Sequence, residues 1–347
     1  MPGTVLSELL NARPWLLADG ATGTNYFDMG LQSGEAPELW NIDHPDRVIA
    51  LHREFIRAGA DIVLTNSFGG SSYRLKLHQA EDRVTELNRA AAALARQAAA
   101  EVDHPVVVAG SIGPTGEILE PVGTLEIADA QAAFEAQAVA LADGGAQVLW
   151  LETLSSKEEM RAAAAAASRT GLPVVATMTF DTNGSTMMGV SPAELVALYR
   201  ELVPGLVAFG ANCGIGAADL VGALMAMRQQ ISGNDVLVAK GNCGIPQFVD
   251  GEINYSGTPE LMADYARLSR DTGARIIGGC CGTTPRHLRA MHQALVDYVP
   301  AQMPDVEQVI GRLGDMTAGT RACFEGLPRP GVNDMQRVRG RRRRRTR

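Results

Sequence analysis

Eight short apolar runs recur along the chain, each rich in Val, Ile or Leu and each giving way to Gly, Asn, Cys, Thr or an acidic residue. They are WLLADG (15–20), ADIVLTNSF (60–68), PVVVAGSIG (105–113), AQVLWLET (146–153), PVVATMTF (173–180), GLVAFGANC (205–213), VLVAKGNC (236–243) and ARIIGGCC (274–281). Their apolar character is continuous, which is what strands covered on both faces show, whereas a half-exposed strand alternates. Helix-like stretches lie between them, such as HPDRVIALHREFIRAG, EDRVTELNRAAAALARQAAAEV and TPELMADYARLSRDTG. Several open on Ser or Thr followed by Pro or Glu and close on Gly, the usual punctuation of helix ends. The pattern predicts eight strand-to-helix units, and hence an α/β fold of the (β/α)8 barrel type over residues 1–300. A doubly wound sheet is the weaker fit, because the first turn, DGATGT, lacks the G-x-G-x-x-G spacing of a dinucleotide site. After about residue 300 the repeat is lost. Residues 301–347 are therefore expected to form a short, partly disordered extension with little structure of its own.

Composition sharpens this only in places. At 347 residues and 46% hydrophobic, the chain can bury a sizeable core. It has no apolar run of transmembrane length and no secretory pattern at MPGTVLSELLNARPW, so a cytoplasmic location with no membrane partner is expected. Five cysteines, an odd and low number, argue against a disulfide framework and for reduced thiols free to bind metal or do chemistry. The net charge of −8 conceals an arginine-rich tail. The eight arginines of RVRGRRRRRTR (337–347) carry +8, so everything before them sums to −16. No zinc-finger spacing or aromatic interleaving accompanies that tail, so nucleic acid is not an expected partner.

In a barrel of this type the active site forms at the C-terminal ends of the strands. That rule puts Asp19, Asn66, Glu152, Cys213, Cys243, Cys280 and Cys281 on one rim. Three thiolates suit a zinc ion with an open fourth position. Side chains alternate across a strand, so Cys280 and Cys281 reach one ion only if the strand ends at them, and the flanking glycines allow the turn. Spacing leaves the third ligand open between Cys213 and Cys243, while Cys323 falls outside the repeat. A zinc ion with three thiolates is suited to holding and activating one more thiol, which points to alkyl transfer to sulfur. Hydrolysis is the weaker reading, because the sequence has no HExxH motif and the six histidines fall away from the strand ends. For an amino-acid thiol, Asp19 and Glu152 would receive the ammonium and the amides of DGATGT the carboxylate.

The segments DGATGT (19–24), HREFIRAGADIVLTNSF (52–68), GSIGPTG (110–116), LET (151–153), GANCGIG (210–216) and GGCCGTTP (278–285) together resemble the homocysteine S-methyltransferase family over about residues 12–297. That family includes betaine–homocysteine methyltransferases and the homocysteine-binding module of cobalamin-dependent methionine synthases. The resemblance implies one zinc ion per chain on Cys213, Cys280 and Cys281, with no ligand role for Cys243. It also implies homocysteine binding by Asp19, Gly20, Ala21, Thr22, Asn66 and Glu152, methionine as product, and Phe68 on the donor side. Betaine users resemble one another in an aromatic pair after strand two and a Tyr after the strand-four Glu, a cage for a quaternary ammonium. Here those positions hold Phe68, Gly69 and Thr153, and only Trp40, Tyr73 and Trp150 are left to rebuild such a cage. The pattern is closer to the cobalamin-dependent module, which implies a methylcorrinoid partner protein as donor, with betaine or a sulfonium compound as the alternative. A zinc-binding scaffold for a corrinoid protein is the non-enzymatic alternative, and a homo-oligomer is compatible with either.

Overall fold

The structure, a computed structural model, describes residues 3–202, 205–231, 234–249 and 252–327. All eight expected strands form: β1 (Leu16–Leu17), β2 (Ile62–Leu64), β3 (Val107–Ile112), β4 (Val148–Leu154), β5 (Val174–Met178), β6 (Leu206–Cys213), β7 (Leu237–Gly241) and, after an antiparallel hairpin of β8 (Pro246–Val249) and β9 (Glu252–Tyr255), β10 (Ala274–Gly279). The eight lie parallel in the order β1-β10-β7-β6-β5-β4-β3-β2. The open edges meet at a parallel bridge between Ala18 and Ile62, where Asp61 N–H donates to the Leu17 carbonyl (2.7 Å) and Asp19 N–H to that of Ile62 (2.9 Å). The sheet thus closes into an α/β barrel, and edge strands with unpaired backbone are avoided.

Each strand is buried on both faces because two apolar layers meet it. Inside the barrel lie Leu16, Ile62, Val107, Val148, Trp150, Val175, Val238 and Ile276. The helix Val5–Ala12 stops the end opposite the site, with Leu6, Leu9 and Leu10 in the same cluster. Outside, the Ala-rich faces of Val84–Ala99 and Lys157–Ser168 lie against the sheet. Small side chains let these helices approach closely, which is why the alanine runs are buried. Trp150 belongs to the barrel interior, with its indole N–H directed at Thr177 Oγ1 (3.4 Å), and Trp40 packs on Tyr26 and His44. Both are core residues and form no cage at the barrel mouth.

Part of the extension expected to have little structure of its own is ordered: residues 306–325 hold two helices, Val306–Leu313 and Ala318–Glu325. Val306, Val309, Leu313 and Ala322 are buried there. The second helix is pinned by the buried carboxylate of Asp219, which accepts hydrogen bonds from Thr317 N–H (3.1 Å), Thr317 Oγ1 (2.6 Å) and Thr320 Oγ1 (2.6 Å). The arginine-rich tail lies outside the described residues. No helix among the described residues is long and apolar enough to cross a membrane.

Candidate functional site

At the C-terminal end of the barrel, β10 stops at Gly279 and the chain turns at once, with Thr283 N–H donating to the Cys280 carbonyl (3.0 Å). The cysteine doublet therefore sits past the strand, where both sulfurs can face the same way. The third sulfur comes from the last residue of β6. Cys213 has φ 59°, in the left-handed region, and Thr153 near the end of β4 has φ 64°. Non-glycine residues pay about 1–2 kcal/mol for that conformation, and such strain concentrates at functional sites. Asn212 ties the two together: it accepts from Thr153 N–H (2.8 Å) and donates to Thr153 Oγ1 (2.7 Å), with its amide nitrogen 3.9 Å from Cys280 Sγ.

The outcome is a three-sulfur cluster. Cys213 Sγ and Cys281 Sγ are 3.8 Å apart, and all three sulfurs lie within 4.8 Å of one another, a group able to hold a metal ion. Hydrogen bonds from the other two thiols, then burial, push the Cys213 thiol well above the ordinary range, while those same contacts hold Cys281 well below it. Without a cation, three such close thiols cannot all ionise. Cys243 is fully buried and is not part of the cluster; its sulfur lies against Gly257, and burial pushes its thiol up to about 12. Cys323 lies on the helix Ala318–Glu325, with its thiol directed at the Gly184 carbonyl.

The sulfurs open on a cavity of about 410 Å³, also lined by Gly20, Ala21, Thr22, Asn66, Phe68, Glu152, Thr153 and Lys240. Gly20 has no room for a side chain, since a Cβ there would meet the Thr283 carbonyl oxygen at 2.5 Å and the Phe55 ring at 2.8 Å. This contact brings the β1 loop against the cysteine turn. Ala21 N–H and the Asn25 amide both donate to that same carbonyl. Asn66 lines the wall, but its amide donates to the Pro37 carbonyl (2.7 Å) and Asn41 Oδ1 (3.1 Å), so both N–H groups are engaged. Glu152 accepts from Ser111 Oγ (2.5 Å) through one oxygen, and the other has no hydrogen-bond partner among the described residues. Burial pushes its carboxyl up to about 7, against the pull of Lys240.

Asp19 is placed differently from the expectation. It is buried and does not line the cavity. Leu64 N–H donates to its Oδ2 (2.7 Å), and Lys240 Nζ donates to its Oδ1 (2.8 Å) and backbone carbonyl (3.1 Å). Sequence reasoning passed over Lys240, although a lone lysine inside the apolar run VLVAK was a signal: a buried cation needs a partner. Burial alone would strip its proton, but Asp19 and Glu152 together hold Lys240 above the ordinary lysine value.

Comparison with known proteins agrees with this geometry. The homocysteine S-methyltransferase family model matches residues 16–295. Methionine synthase of Mycobacterium tuberculosis is 30% identical over 311 residues, 85% of this chain and 26% of the relative. That of Mycobacterium leprae is 29% identical over 321 residues, covering 88% of this chain and 26% of the relative. The chain thus spans about a quarter of the length of these curated relatives. Among solved structures, the homocysteine methyltransferase MmuM of Escherichia coli is 27% identical in its oxidized form, with a TM-score of 0.70 over 83% of this chain and 98% of that one. Its metallated form gives 0.69 over 83% and 99%. The match spans the whole barrel, from β1 to the helix after the cysteine turn, and the chain belongs to the homocysteine S-methyltransferase family of methyltransferases.

Proposed function

We propose that this chain transfers a methyl group to the thiol of L-homocysteine, giving L-methionine, with one zinc ion held by Cys213, Cys280 and Cys281. The observation that carries the reading is the three-sulfur cluster opening on a cavity that Glu152 also lines. Tetrahedral zinc about 2.3 Å from each sulfur needs sulfurs about 3.8 Å apart, and the Cys213–Cys281 separation is 3.8 Å. Bound there, zinc supplies a low-pKa site that keeps a substrate thiol ionised and nucleophilic.

The chain's own residues do the rest. Glu152 offers its unpartnered oxygen to the substrate ammonium, which fixes the amino-acid end. The backbone at Gly20 and Thr22 lines the same cavity and is suited to the carboxylate, while Ala21 N–H is spent on Thr283. The cavity is set between strand ends and loops, so a sulfur held at its floor meets a donor methyl only from the mouth. In that in-line displacement the S–CH₃ bond forms as the donor–CH₃ bond breaks, and the leaving group keeps the bonding pair.

The proposed donor is a methylcorrinoid carried by a partner protein. Two things support this: the curated relatives are methionine synthases more than three times as long as this chain, and the positions of an onium cage hold Phe68, Gly69 and Thr153. A second reading, a small onium donor such as betaine or a sulfonium compound, is favoured by Phe27 and Phe68, which line the cavity and are both exposed. The test is to incubate zinc-loaded protein with homocysteine and, in separate arms, methylcobalamin, betaine and a methylated sulfonium, and to measure methionine. Methionine from methylcobalamin alone supports the first reading, and methionine from betaine or the sulfonium replaces it with the second. No methionine in any arm, with zinc bound, would sink the methyl-transfer assignment for these donors.

A further inference from the structure

The cavity that holds the three sulfurs has a second side, lined by Glu38, Phe68, Arg74 and His78. Arg74 and His78 follow β2, which lies four strands from β6 in either direction round the barrel. Arg74 therefore stands across the mouth from the strand that supplies Cys213. The short helix Ser72–Leu75 fixes it there: Ser71 Oγ accepts from Arg74 N–H (3.4 Å), and Leu75 is buried in one cluster with Val84 and Leu87. Gly116 leaves the side chain room, since a Cβ there would meet Arg74 Nη1 at 3.1 Å. Among the described residues the Arg74 guanidinium makes no hydrogen bond and no ion pair. The two carboxylates on that wall are engaged elsewhere: Glu35 Oε2 accepts from Gln32 N–H (2.9 Å) and Glu38 Oε1 from Gly69 N–H (2.6 Å). Burial pushes the Glu38 carboxyl up, against its backbone hydrogen bonds and the longer-range pull of Arg74 and His78.

We propose that Arg74, with His78 on the same wall, is an anion subsite for the methyl donor: the donor carries a carboxylate or phosphate group, and Arg74 holds it while the methyl faces the sulfurs. This deepens the methyl-transfer reading above and rests on it, whichever donor is used. The physical argument is an unspent donor set. A guanidinium presents five N–H groups in a planar fork that matches a carboxylate or phosphate, and here that fork lines a cavity with none of them committed to protein. The positive centre of an onium or of a corrin is suited to Phe68 and the buried Glu38, and the anionic group to Arg74, so the wall as a whole fits a donor bearing both charges. The shared chemistry is anionic oxygen. Its source is either the carboxylate of a small onium donor or the phosphodiester of a corrinoid's nucleotide arm.

The test is calorimetric titration of zinc-loaded protein saturated with homocysteine, using probes that cannot transfer a methyl group. Dimethylglycine is compared with dimethylaminoethanol, its counterpart without the carboxylate, and cyanocobalamin with dicyanocobinamide, which lacks the phosphodiester. The wild type is expected to bind one acid-bearing probe at least about tenfold more tightly than its acid-free counterpart, the worth of a charge-assisted hydrogen bond. Arg74→Gln is expected to bring that ratio within about threefold with homocysteine affinity unchanged, and Arg74→Lys, which keeps the charge but not the fork, to fall between. Preference for dimethylglycine identifies a small carboxylate donor, and preference for cyanocobalamin a corrinoid. A merely structural role for Arg74 would weaken acid-bearing and acid-free probes alike. A ratio near one for both pairs in the wild type, binding of no probe, or a preference that survives in Arg74→Gln would overturn the inference. If Arg74→Gln does not fold, Arg74→Met decides by the same bar. A wild type that binds no homocysteine would instead overturn the homocysteine reading.

Discussion

Replacing Glu152 by glutamine removes a charge and keeps the shape, and its effect on stability can be worked out from the structure. Glu152 is 8% exposed, and burial pushes its carboxyl from an ordinary 4.5 up to about 7. The folded protein therefore holds this proton more tightly than the unfolded chain does. That contribution to stability is fully present below about pH 4.5 and is lost as pH rises through about 7. A gap of about 2.5 in pKa, at about 1.4 kcal/mol for each, amounts to about 3.5 kcal/mol at the most. Above pH 7 the empty wild-type protein carries a poorly solvated carboxylate, and the glutamine variant does not. The expected result is that Glu152→Gln matches the wild type near pH 4.5 to 5 and becomes more stable by up to about 3 kcal/mol at pH 8, while losing homocysteine binding. Urea unfolding of metal-free wild type and variant across pH 5 to 8 measures the gap, and other carboxylates cancel in the difference. A gap that stays constant over that range would refute the reasoning, as would a variant less stable at pH 8 than at pH 5 relative to the wild type. Gain of stability with loss of binding is the mark of a residue kept for function.

Two further outcomes follow from the same geometry. Alanine at Cys213, Cys280 or Cys281 is expected to reduce bound zinc from one per chain to near zero by metal analysis, whereas Cys243→Ala, at a sulfur outside the cluster, is expected to retain it. Asp219→Ala removes three hydrogen bonds that hold the helix Ala318–Glu325, so limited proteolysis is expected to cut near residue 317 at least tenfold faster, with homocysteine affinity unchanged.

The eight strands were legible because a strand covered on both faces must be apolar throughout, and that demand leaves an uninterrupted run. Their ends were legible less well. The run WLLADG suggests six residues of strand, but the strand proper is Leu16–Leu17, prolonged by the Ala18 bridge to Ile62, and by Ala21 the chain has turned to bond Thr283. The hairpin β8–β9 escaped notice because it belongs to neither layer of the barrel and carries no long apolar run. The helices after residue 305 were missed for a related reason. Their capping residues, Asp305 and Thr317, were readable, but what anchors the second of them is Asp219, a residue almost a hundred positions away. At the site, residue type at a strand end was enough to gather the three cysteines and Glu152. It could not separate Asp19 from Glu152, since the difference lies in Lys240, a partner that only the barrel's closure brings to Asp19.

The left-handed backbone at Cys213 and Thr153 bears on how this protein would respond to selection for heat resistance. Glycine adopts that conformation freely, so at either position it would relieve about 1 kcal/mol of conformational strain. At 213 the same exchange deletes a sulfur from the cluster. A library screened only for survival at high temperature would thus enrich glycine at the point where the chain most needs a cysteine. The positions where thermal selection and turnover pull in opposite directions would then trace the rim of the barrel mouth without any ligand having been added.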